Sequence, residues 1–354
     1  FFSLCCSTNK MLSELAKRKD QLKSVQTKES AKTQQLLCED SDTYKKLMEE
    51  TFLEEYFSEI EEFSFMSEFF TLSKESGKAI NDAYTEWSKN PCSSTIQSIY
   101  DKYPELKDLA AHIDKAASKL RTNSFFVRLS TRSPKDAVLF SEKSVKLFNE
   151  GLTRIEKEYQ ADSTMENNYL IALYDTLTQA MCNQTGEEAV KLLITSQRIQ
   201  GDLETYTIND SDDCKPFQVI IREWFDFEVQ HEFRAFIYKR ELTAITQYNE
   251  YCYFPSVHKR KEEISSIMKE QIGNILSSIK KLDNLVLDLI LCKDNENNWI
   301  LKVVEINPLA EFAGTGLFTW EEDRDILIGN EPFEFRIQET IPEHAIKNLP
   351  IFWS

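Results

Sequence analysis

The spacing of apolar residues changes near Asn123, and this change divides the chain into two kinds of structure. Before that point, apolar residues recur every three or four positions among polar ones, which is typical of amphipathic helices. Residues 12–25 show this pattern, and so do residues 44–70, where an aromatic side can pack while acidic side chains face water. The pattern predicts a helical accessory region over residues 1–120. We interpret it as a packing layer, with a partner-binding arm as the alternative.

Beyond Asn123, short β-type runs alternate with helical periodicity. Two runs, residues 124–130 and 136–140, flank a turn at Ser133-Pro134. Helices are then predicted over residues 141–155, 166–182, 187–199 and 264–279. Further strands are predicted over residues 217–224, 232–238, 242–247, 285–292 and 299–306. This mixture of strands and helices indicates an α+β architecture.

The composition of the chain makes some classes of binding partner improbable. The chain has 354 residues and a formal net charge of -17, which repels phosphate backbones and anionic lipid. General nucleic-acid binding and membrane association are therefore not expected, and no apolar run reaches membrane-spanning length. The eight cysteines form no C-x-x-C pair, which favours a reducing compartment, and we expect a cytoplasmic location. With only eight glycines, a glycine-rich phosphate loop is not expected, so side chains would have to bind phosphate.

An acidic hairpin near the C-terminal end carries the main candidate chemistry. Asp288 lies in the middle of the apolar run 285–291, where an unpaired carboxylate would cost several kcal/mol. Residues 293–298 have the composition of a turn. In the strand that follows, Glu305 and Asn307 are two positions apart and point to the same face.

The register of this hairpin decides whether the three side chains meet. A turn centred between Glu296 and Asn297 places position 288 directly opposite position 305. Two facing carboxylates repel each other, and a hard divalent cation with oxygen ligands removes that penalty. We favour a metal site over the alternative, in which Asp288 pairs with Lys302 or an arginine.

Cationic residues upstream lie within or beside β-type runs, where bidentate phosphate contacts are geometrically suited to arginine. The members of this set are Arg128, Arg132, Lys135, Arg222 and Arg234. Each alone is more often a salt-bridge partner. Together with the candidate metal site they predict a triphosphate clamp.

The acidic segment resembles one in a known family. The closest similarity is Glu305-Ile-Asn-Pro-Leu-Ala-Glu311 with Gly316-Leu-Phe-Thr-Trp-Glu-Glu322. Weaker supporting segments are Phe126-Val-Arg-Leu-Ser130, Ser133-Pro-Lys-Asp-Ala137, Ile221-Arg-Glu-Trp224, Glu232-Phe-Arg234 and Ile245-Thr-Gln247. In order and spacing these segments are similar to the cell division cycle protein 123 family, whose members have an ATP-grasp fold.

The resemblance implies an organisation for the chain. It implies a two-lobed ATP-grasp-like fold with mixed and antiparallel sheets, preceded by the N-terminal helical region, which does not resemble the family. Residues 121–215 would form the first part of the domain and residues 216–330 the lobe with the metal hairpin. Residues 331–354 would be a tail that packs on the domain.

The resemblance also implies ligands. Asp288, Glu305 and Asn307 would hold Mg²⁺ on the phosphates of ATP. The residues expected to contact the nucleotide are Arg128, Lys135, Asp136, Arg222, Glu223, Trp224, Arg234 and Gln247. Two positions depart from the family: Arg128 stands where lysine is expected, and Glu305 where aspartate is more usual.

Three functions follow as expectations. The resemblance implies an ATP-dependent assembly chaperone for translation initiation factor eIF2, which docks on its gamma subunit, or for another client protein. The first alternative is an ATP-grasp ligase that joins a carboxylate to an amine. The second is ATP-dependent RNA ligation or nucleotidyl transfer, which would need a nucleophile such as Lys135. Whether the chain is an enzyme stays open at this point.

Overall fold

The structure is a computed structural model. It describes residues 41–89, 96–140, 142–207, 215–294 and 296–342. The helix predicted over residues 12–25 and the end of the tail, residues 343–354, lie outside the described residues.

The first described segment contains two helices and then a strand. Helices α1 (Ser41–Glu50) and α2 (Leu53–Ile60) confirm the amphipathic pattern, since Phe52 and Tyr56 are buried. The helical prediction is wrong at β1 (Ser67–Thr71), which is a strand. Its aromatic and β-branched residues suit a pleated surface, and pairing with a distant strand outweighs local periodicity.

Strand β1 is part of a three-stranded antiparallel sheet with the order β1-β3-β2. Strand β2 (Phe125–Leu129) confirms the first run predicted after Asn123, and β3 (Gln218–Glu223) lies in the centre. One face of this sheet packs against a helical layer. The bounds of the three helices that precede β2 are α3 (Lys74–Lys89), α4 (Ile96–Lys102) and α5 (Pro104–Ala117).

A block of helices separates β2 from β3. Its members are α6 (Glu142–Tyr159), α7 (Met165–Gln179), α8 (Gly186–Thr195) and α9 (Gln197–Thr207). The helix predicted over residues 187–199 is two helices, because Ser196 is extended between α8 and α9. The strand predicted over residues 136–140 is wrong as well. Residues Lys135–Phe140 form a 3₁₀-helix, which Pro134 starts by accepting the Ala137 N–H at 3.1 Å.

The second sheet has five strands in the order β7-β6-β4-β5-β8. Their bounds are β4 (Glu232–Tyr238), β5 (Glu241–Gln247), β6 (Leu285–Lys293), β7 (Trp299–Pro308) and β8 (Glu334–Arg336). All neighbours are antiparallel except β8, which runs parallel to β5. Strands β4 to β7 confirm the predictions. Strand β8 forms in a segment where the sequence showed no element.

Helix α11 (Lys261–Ser278) covers one face of the second sheet, where its apolar side chains join the largest core. Two short helices complete the described elements, α10 (Pro255–Lys259) and α12 (Arg324–Leu327). Across the described ranges, no helix is both long enough and apolar enough to cross a bilayer.

Alternation along the strands gives each sheet a second, more polar face, and these two faces meet. On β2, Val127 and Leu129 enter the helical core while Arg128 points to the second sheet. On β6, Leu287 and Leu289 pack under α11 while Asp288 points the other way. The fold is therefore α+β and ATP-grasp-like, with mixed helices and sheets around a cleft between two lobes.

Candidate functional site

A row of polar side chains crosses the second sheet at the cleft. Thr246 on β5 pairs with Arg234 on β4, which pairs with Asp288 on β6, which pairs with Glu305 on β7. The predicted pairing is confirmed, because Asp288 and Glu305 are directly opposite, but the turn is centred on Glu296, since Lys293 pairs with Trp299. A bulge follows between Asp288 and Leu289, so the register shifts by one towards the turn.

Asp288 is bound by an arginine. Only 1% of this residue is exposed, and Arg234 donates to both carboxylate oxygens, at 2.7 and 2.8 Å. Asn307 Nδ2 donates to Oδ2 at 3.0 Å. Burial raises the pKa of Asp288, and the Arg234 guanidinium opposes that rise. Of the two pairings considered as alternatives to a metal site, Asp288 therefore has the one with an arginine. Lys302 does not contact it and donates to the Ser64 carbonyl at 3.1 Å.

Glu305 is bound by the other lobe. Arg128 Nη1 donates to Glu305 Oε2 at 2.6 Å, and the same guanidinium donates to the carbonyls of Leu129 and Thr131. Burial raises the pKa of Glu305, but the positive charges of Arg128 and Lys135 lower it by more than burial raises it. The pKa of Glu305 therefore lies well below its ordinary value. Glu305 is thus a carboxylate at neutral pH, and it joins the two sheets.

Lys135, Tyr248 and Glu232 surround this pair of carboxylates. Lys135 Nζ donates to the Tyr248 hydroxyl at 3.1 Å, and the Lys135 and Arg234 charges lie 4.8 and 5.2 Å from the centre of its ring. Burial lowers the pKa of Lys135, but Tyr248, Glu232 and Glu305 raise it well above its ordinary value. Burial raises the pKa of Glu232 to about 7, although Lys135 opposes the rise.

A cavity of about 360 Å³ opens beside the row. The residues that line it are Arg234, Thr246, Gln247, Tyr248, Glu250, Gly314, Thr315 and Gly316. Its glycine wall lies close to the row, because Arg234 Nη1 donates to the Gly314 carbonyl at 2.6 Å. At Gly316, where φ is +60°, a Cβ would lie 2.6 Å from Thr246 Cγ2. Glycine therefore fits there without strain, and a larger residue does not.

Arg222 is buried between the two sheets and is held there by hydrogen bonds. Its side chain is fully buried and donates to Ser64 Oγ at 2.6 Å, Ser67 Oγ at 3.2 Å and the Val304 carbonyl at 2.5 Å. The ring of Phe126 lies 5.3 Å from the guanidinium carbon. Burial lowers the pKa of Arg222 to about 9, and the like charge of Arg128 adds to the effect. The guanidinium is thus fully engaged between the sheets, and any contact with a nucleotide would have to come from its backbone.

The other predicted contacts are spread out. The backbone N–H groups of Glu223 and Trp224 donate to the carbonyls of Met66 and Ser124, at 2.9 and 3.0 Å. Asp136 points to the start of α9, where it accepts from Ser196 Oγ at 2.6 Å. Gln247 lines the cavity, but its amide is bonded to the chain, with Nε2 donating to the carbonyls of Asn249 and Cys252. Their roles in nucleotide binding stay predictions.

The predicted metal ligands fit magnesium by donor chemistry. Asp288, Glu305 and Asn307 supply two carboxylates and an amide, and Mg²⁺ is commonly held by one or two carboxylates together with phosphate oxygens and water. No group of three or more acidic, histidine or cysteine side chains within the described part of the chain is arranged to hold a metal ion. A metal here would therefore need the ligand's own oxygens, and the arginines would have to release the carboxylates.

The sequence interpretation missed two members of the site. Glu232 lies two positions before Arg234 on β4, so period-two alternation could have placed it on the same face. Tyr248 lines the cavity, and two cations lie over its ring. No local pattern marks an aromatic residue after a strand for that role.

Comparison with known proteins gives related sequences and a related structure. The D123 family model matches residues 172–348, half of the chain. A translation initiation factor eIF2 assembly protein of Dictyostelium discoideum is 26% identical over 250 residues, covering 70% of this chain and 54% of the relative. One from Xenopus tropicalis is 24% identical over 244 residues, with coverage of 68% and 59%.

The chain thus spans little more than half the length of these curated relatives. The solved structure of Cdc123 from Schizosaccharomyces pombe superposes with a TM-score of 0.55 at 17% identity, covering 82% of this chain and 96% of the other. That likeness concerns the fold, and it agrees with the resemblance found in the motifs around Glu305.

Proposed function

The chain belongs to the D123 family, and from this membership we propose that it is an ATP-binding assembly factor for translation initiation factor eIF2. The observation that carries the ATP part is the pairing of Asp288 with Glu305 across β6 and β7, in a cleft where cations from both lobes converge. A metal nucleotide presents phosphates to cations and a divalent ion to carboxylates, so it matches both halves of this arrangement.

The described cleft holds balanced charges that a nucleotide can reorganise. Arg128 and Arg234 are bound to Glu305 and Asp288, and Lys135 lies on Tyr248 beside them. Arg128 and Arg234 would exchange these carboxylates for phosphate oxygens of a bound nucleotide, and Asp288 and Glu305 would then be free to hold its metal ion. The metal would neutralise phosphate charge, while Arg128, Lys135 and Arg234 would orient the phosphates.

The assembly role rests on the names of the relatives, which are eIF2 assembly proteins. We propose further that the contact within eIF2 is its gamma subunit, as the family resemblance implies. A protein client is consistent with the net charge of -17, which disfavours nucleic acid as the partner.

Two measurements test this proposal. Calorimetric titration of the chain with ATP, with and without Mg²⁺, should show binding that strengthens with the metal. A pull-down with separate eIF2 subunits should recover the gamma subunit and not the others. Absence of nucleotide binding would overturn the ATP part, and recovery of none of the subunits would overturn the assembly part. The two results are independent.

A carboxylate–amine ligase remains a second candidate, because the 360 Å³ cavity adjoins Arg234 and can hold an acceptor. ADP release that depends on a small carboxylate would favour it. Nucleotidyl transfer is less well supported. Its nucleophile would be Lys135, whose pKa is raised well above its ordinary value, so the amine is held protonated and is a poor nucleophile. Covalent AMP on the chain would contradict this argument.

A further inference from the structure

Two arginines stand close together at the edge of the cleft, where α9 begins. Arg132 follows β2, and Arg198 lies in the first turn of α9. Arg132 reaches the same side of α9, because its Nε donates to Asp202 Oδ2 at 2.6 Å and Asp202 lies about one turn after Arg198. The backbone N–H of Arg198 donates to Asp136, and the neighbouring Lys135 bonds to Tyr248 on the cavity wall, so the start of α9 lies at the edge of the cleft. The two like charges repel each other in this position.

The two arginines have different partners. Arg132 Nε donates to Asp202 Oδ2 at 2.6 Å, which uses one of its five N–H donors. For Arg198, no carboxylate of a described residue bonds to the guanidinium, and the residue is exposed. Arg128 and Arg234, by contrast, each bond to a buried carboxylate of the row. The described cleft therefore has a surplus positive charge at this edge, in a chain that is strongly acidic as a whole.

The backbone around the pair is well held. Asp136 accepts from the backbone N–H of Arg198 at 3.2 Å and from Ser196 Oγ at 2.6 Å. Lys135, the neighbour of Asp136, reaches Tyr248 on the cavity wall. The two arginines thus come from separate elements that are joined by the Arg132–Asp202 ion pair and by the Asp136 contact with Arg198, and a site built on fixed elements loses little entropy when a ligand binds.

We propose that Arg132 and Arg198 form an oxyanion subsite that takes a phosphate group beside the nucleotide, without contacting the nucleoside diphosphate itself. A phosphate between the two guanidinium groups relieves their repulsion and receives paired N–H donors from each. The phosphate can be the terminal group of a nucleoside triphosphate or a separate anion. The placement beside a nucleotide rests on the proposed function, but the subsite itself does not.

Inorganic phosphate is the probe that tests the subsite. Calorimetry at constant ionic strength compares the wild-type chain, Arg198→Gln, and the control Lys191→Gln, which removes an exposed charge on α8. Phosphate should bind the wild type and the control, and Arg198→Gln should weaken it at least about tenfold. Affinity for Mg²⁺·ADP should stay within about twofold in all three.

Further titrations identify the source of the phosphate. If Arg198→Gln weakens a non-hydrolysable ATP analogue but not ADP, the subsite holds the terminal phosphate. If it weakens inorganic phosphate while ADP is bound, the subsite holds a separate anion. Failure of phosphate to bind the wild type would overturn the proposal. So would unchanged phosphate affinity in the Arg132→Gln/Arg198→Gln double variant, or a loss of ADP affinity as large as that of phosphate. If ADP does not bind the wild type but phosphate behaves as expected, the proposed function fails and the subsite stands.

Discussion

Arg128 Nη1 lies 2.6 Å from Glu305 Oε2, and this ion pair joins the three-stranded sheet to the five-stranded sheet across the cleft. The two residues are 177 positions apart in the chain. Only 4% of the Arg128 side chain and 20% of the Glu305 side chain are exposed, so water screens the contact weakly. The pair holds the lobes together and occupies a carboxylate that we propose for metal binding.

Replacement of Arg128 should separate its structural role from its charge. Arg128→Lys keeps the charge but loses hydrogen bonds to the Leu129 and Thr131 carbonyls, so we expect the free energy of unfolding to fall by about 1–3 kcal/mol. Arg128→Met leaves Glu305 without its partner and should cost about 3 kcal/mol or more. Urea unfolding measures both. Equal stability of the two variants would show that charge at this position contributes little.

Asp288 should be required for metal-dependent nucleotide binding. Asp288→Asn keeps the shape of the side chain and its contact with Asn307 but removes the charge, so affinity for Mg²⁺·ATP should fall about a hundredfold. Arg234 also loses its buried partner, so some stability is lost and folding must be checked by circular dichroism. The matched control is Asp283→Asn, an exposed residue just before β6 that should bind as the wild type does. Unchanged affinity in a folded Asp288→Asn variant would refute the metal site.

The pairing of Asp288 with Glu305 in the hairpin could be predicted in part from the sequence. Period-two alternation and the approximate position of the turn are local and place Asp288 near Glu305. The exact pairing also needs the bulge after Asp288, because the turn is centred on Glu296 and an unbroken register would pair Asp288 with Val304. The arginines that bind these two carboxylates could not be predicted from local sequence. Arg234 meets Asp288 through a strand pair that connects distant segments, and Arg128 meets Glu305 across the two lobes. Residue types predicted a polar site, but long-range pairing decided which cation binds which carboxylate.

The errors in secondary structure have the same origin. Strand β1 has too few residues to show a period, and it becomes a strand because β3 offers it an edge. The run 136–140 has β-type residues, but the Asp136 carboxylate is bound at the start of α9, which holds the segment as a 3₁₀-helix. In both places tertiary contacts outweighed local propensity.

Glu232 should make stability depend on pH. It is buried, Lys135 and Arg234 attract its charged form, and Asp288 and Glu305 repel it. Its pKa is about 7 in the folded chain against an ordinary 4.5, so the folded state binds the proton more tightly. The resulting stabilisation is fully present below pH 4.5 and is lost as the pH rises through 7, by at most about 3 kcal/mol.

Urea unfolding at several pH values between 5 and 8 tests this prediction. In Glu232→Gln the neutral amide replaces the protonated acid, so the variant should lose less stability than the wild type as the pH rises. Glu241→Gln, at the exposed start of β5, is the control and should follow the wild type. Parallel profiles for wild type and Glu232→Gln would contradict the assignment.

A pair of glycine substitutions tests the wall of the cavity. At Gly316, φ is +60° and a Cβ would lie 2.6 Å from Thr246 Cγ2, so Gly316→Ala should lower the free energy of unfolding by about 2 kcal/mol or more. At Gly273, inside α11, a Cβ would meet no atom within 4 Å apart from the surrounding helix backbone, so Gly273→Ala should raise the free energy of unfolding by about 0.5–1 kcal/mol. Thermal and urea unfolding measure both effects.

The clash with Thr246 can be separated from the backbone strain at Gly316. Thr246→Ser removes the methyl group but keeps the hydroxyl that accepts the Leu317 N–H at 3.2 Å. In the Thr246→Ser background, Gly316→Ala should therefore cost less than it does in the wild type, and the difference is the energy of the methyl contact. An equal cost in both backgrounds would mean that the methyl group contributes nothing, and that the positive φ and the Thr246 hydroxyl, 2.9 Å from the Cβ position, account for the need for glycine.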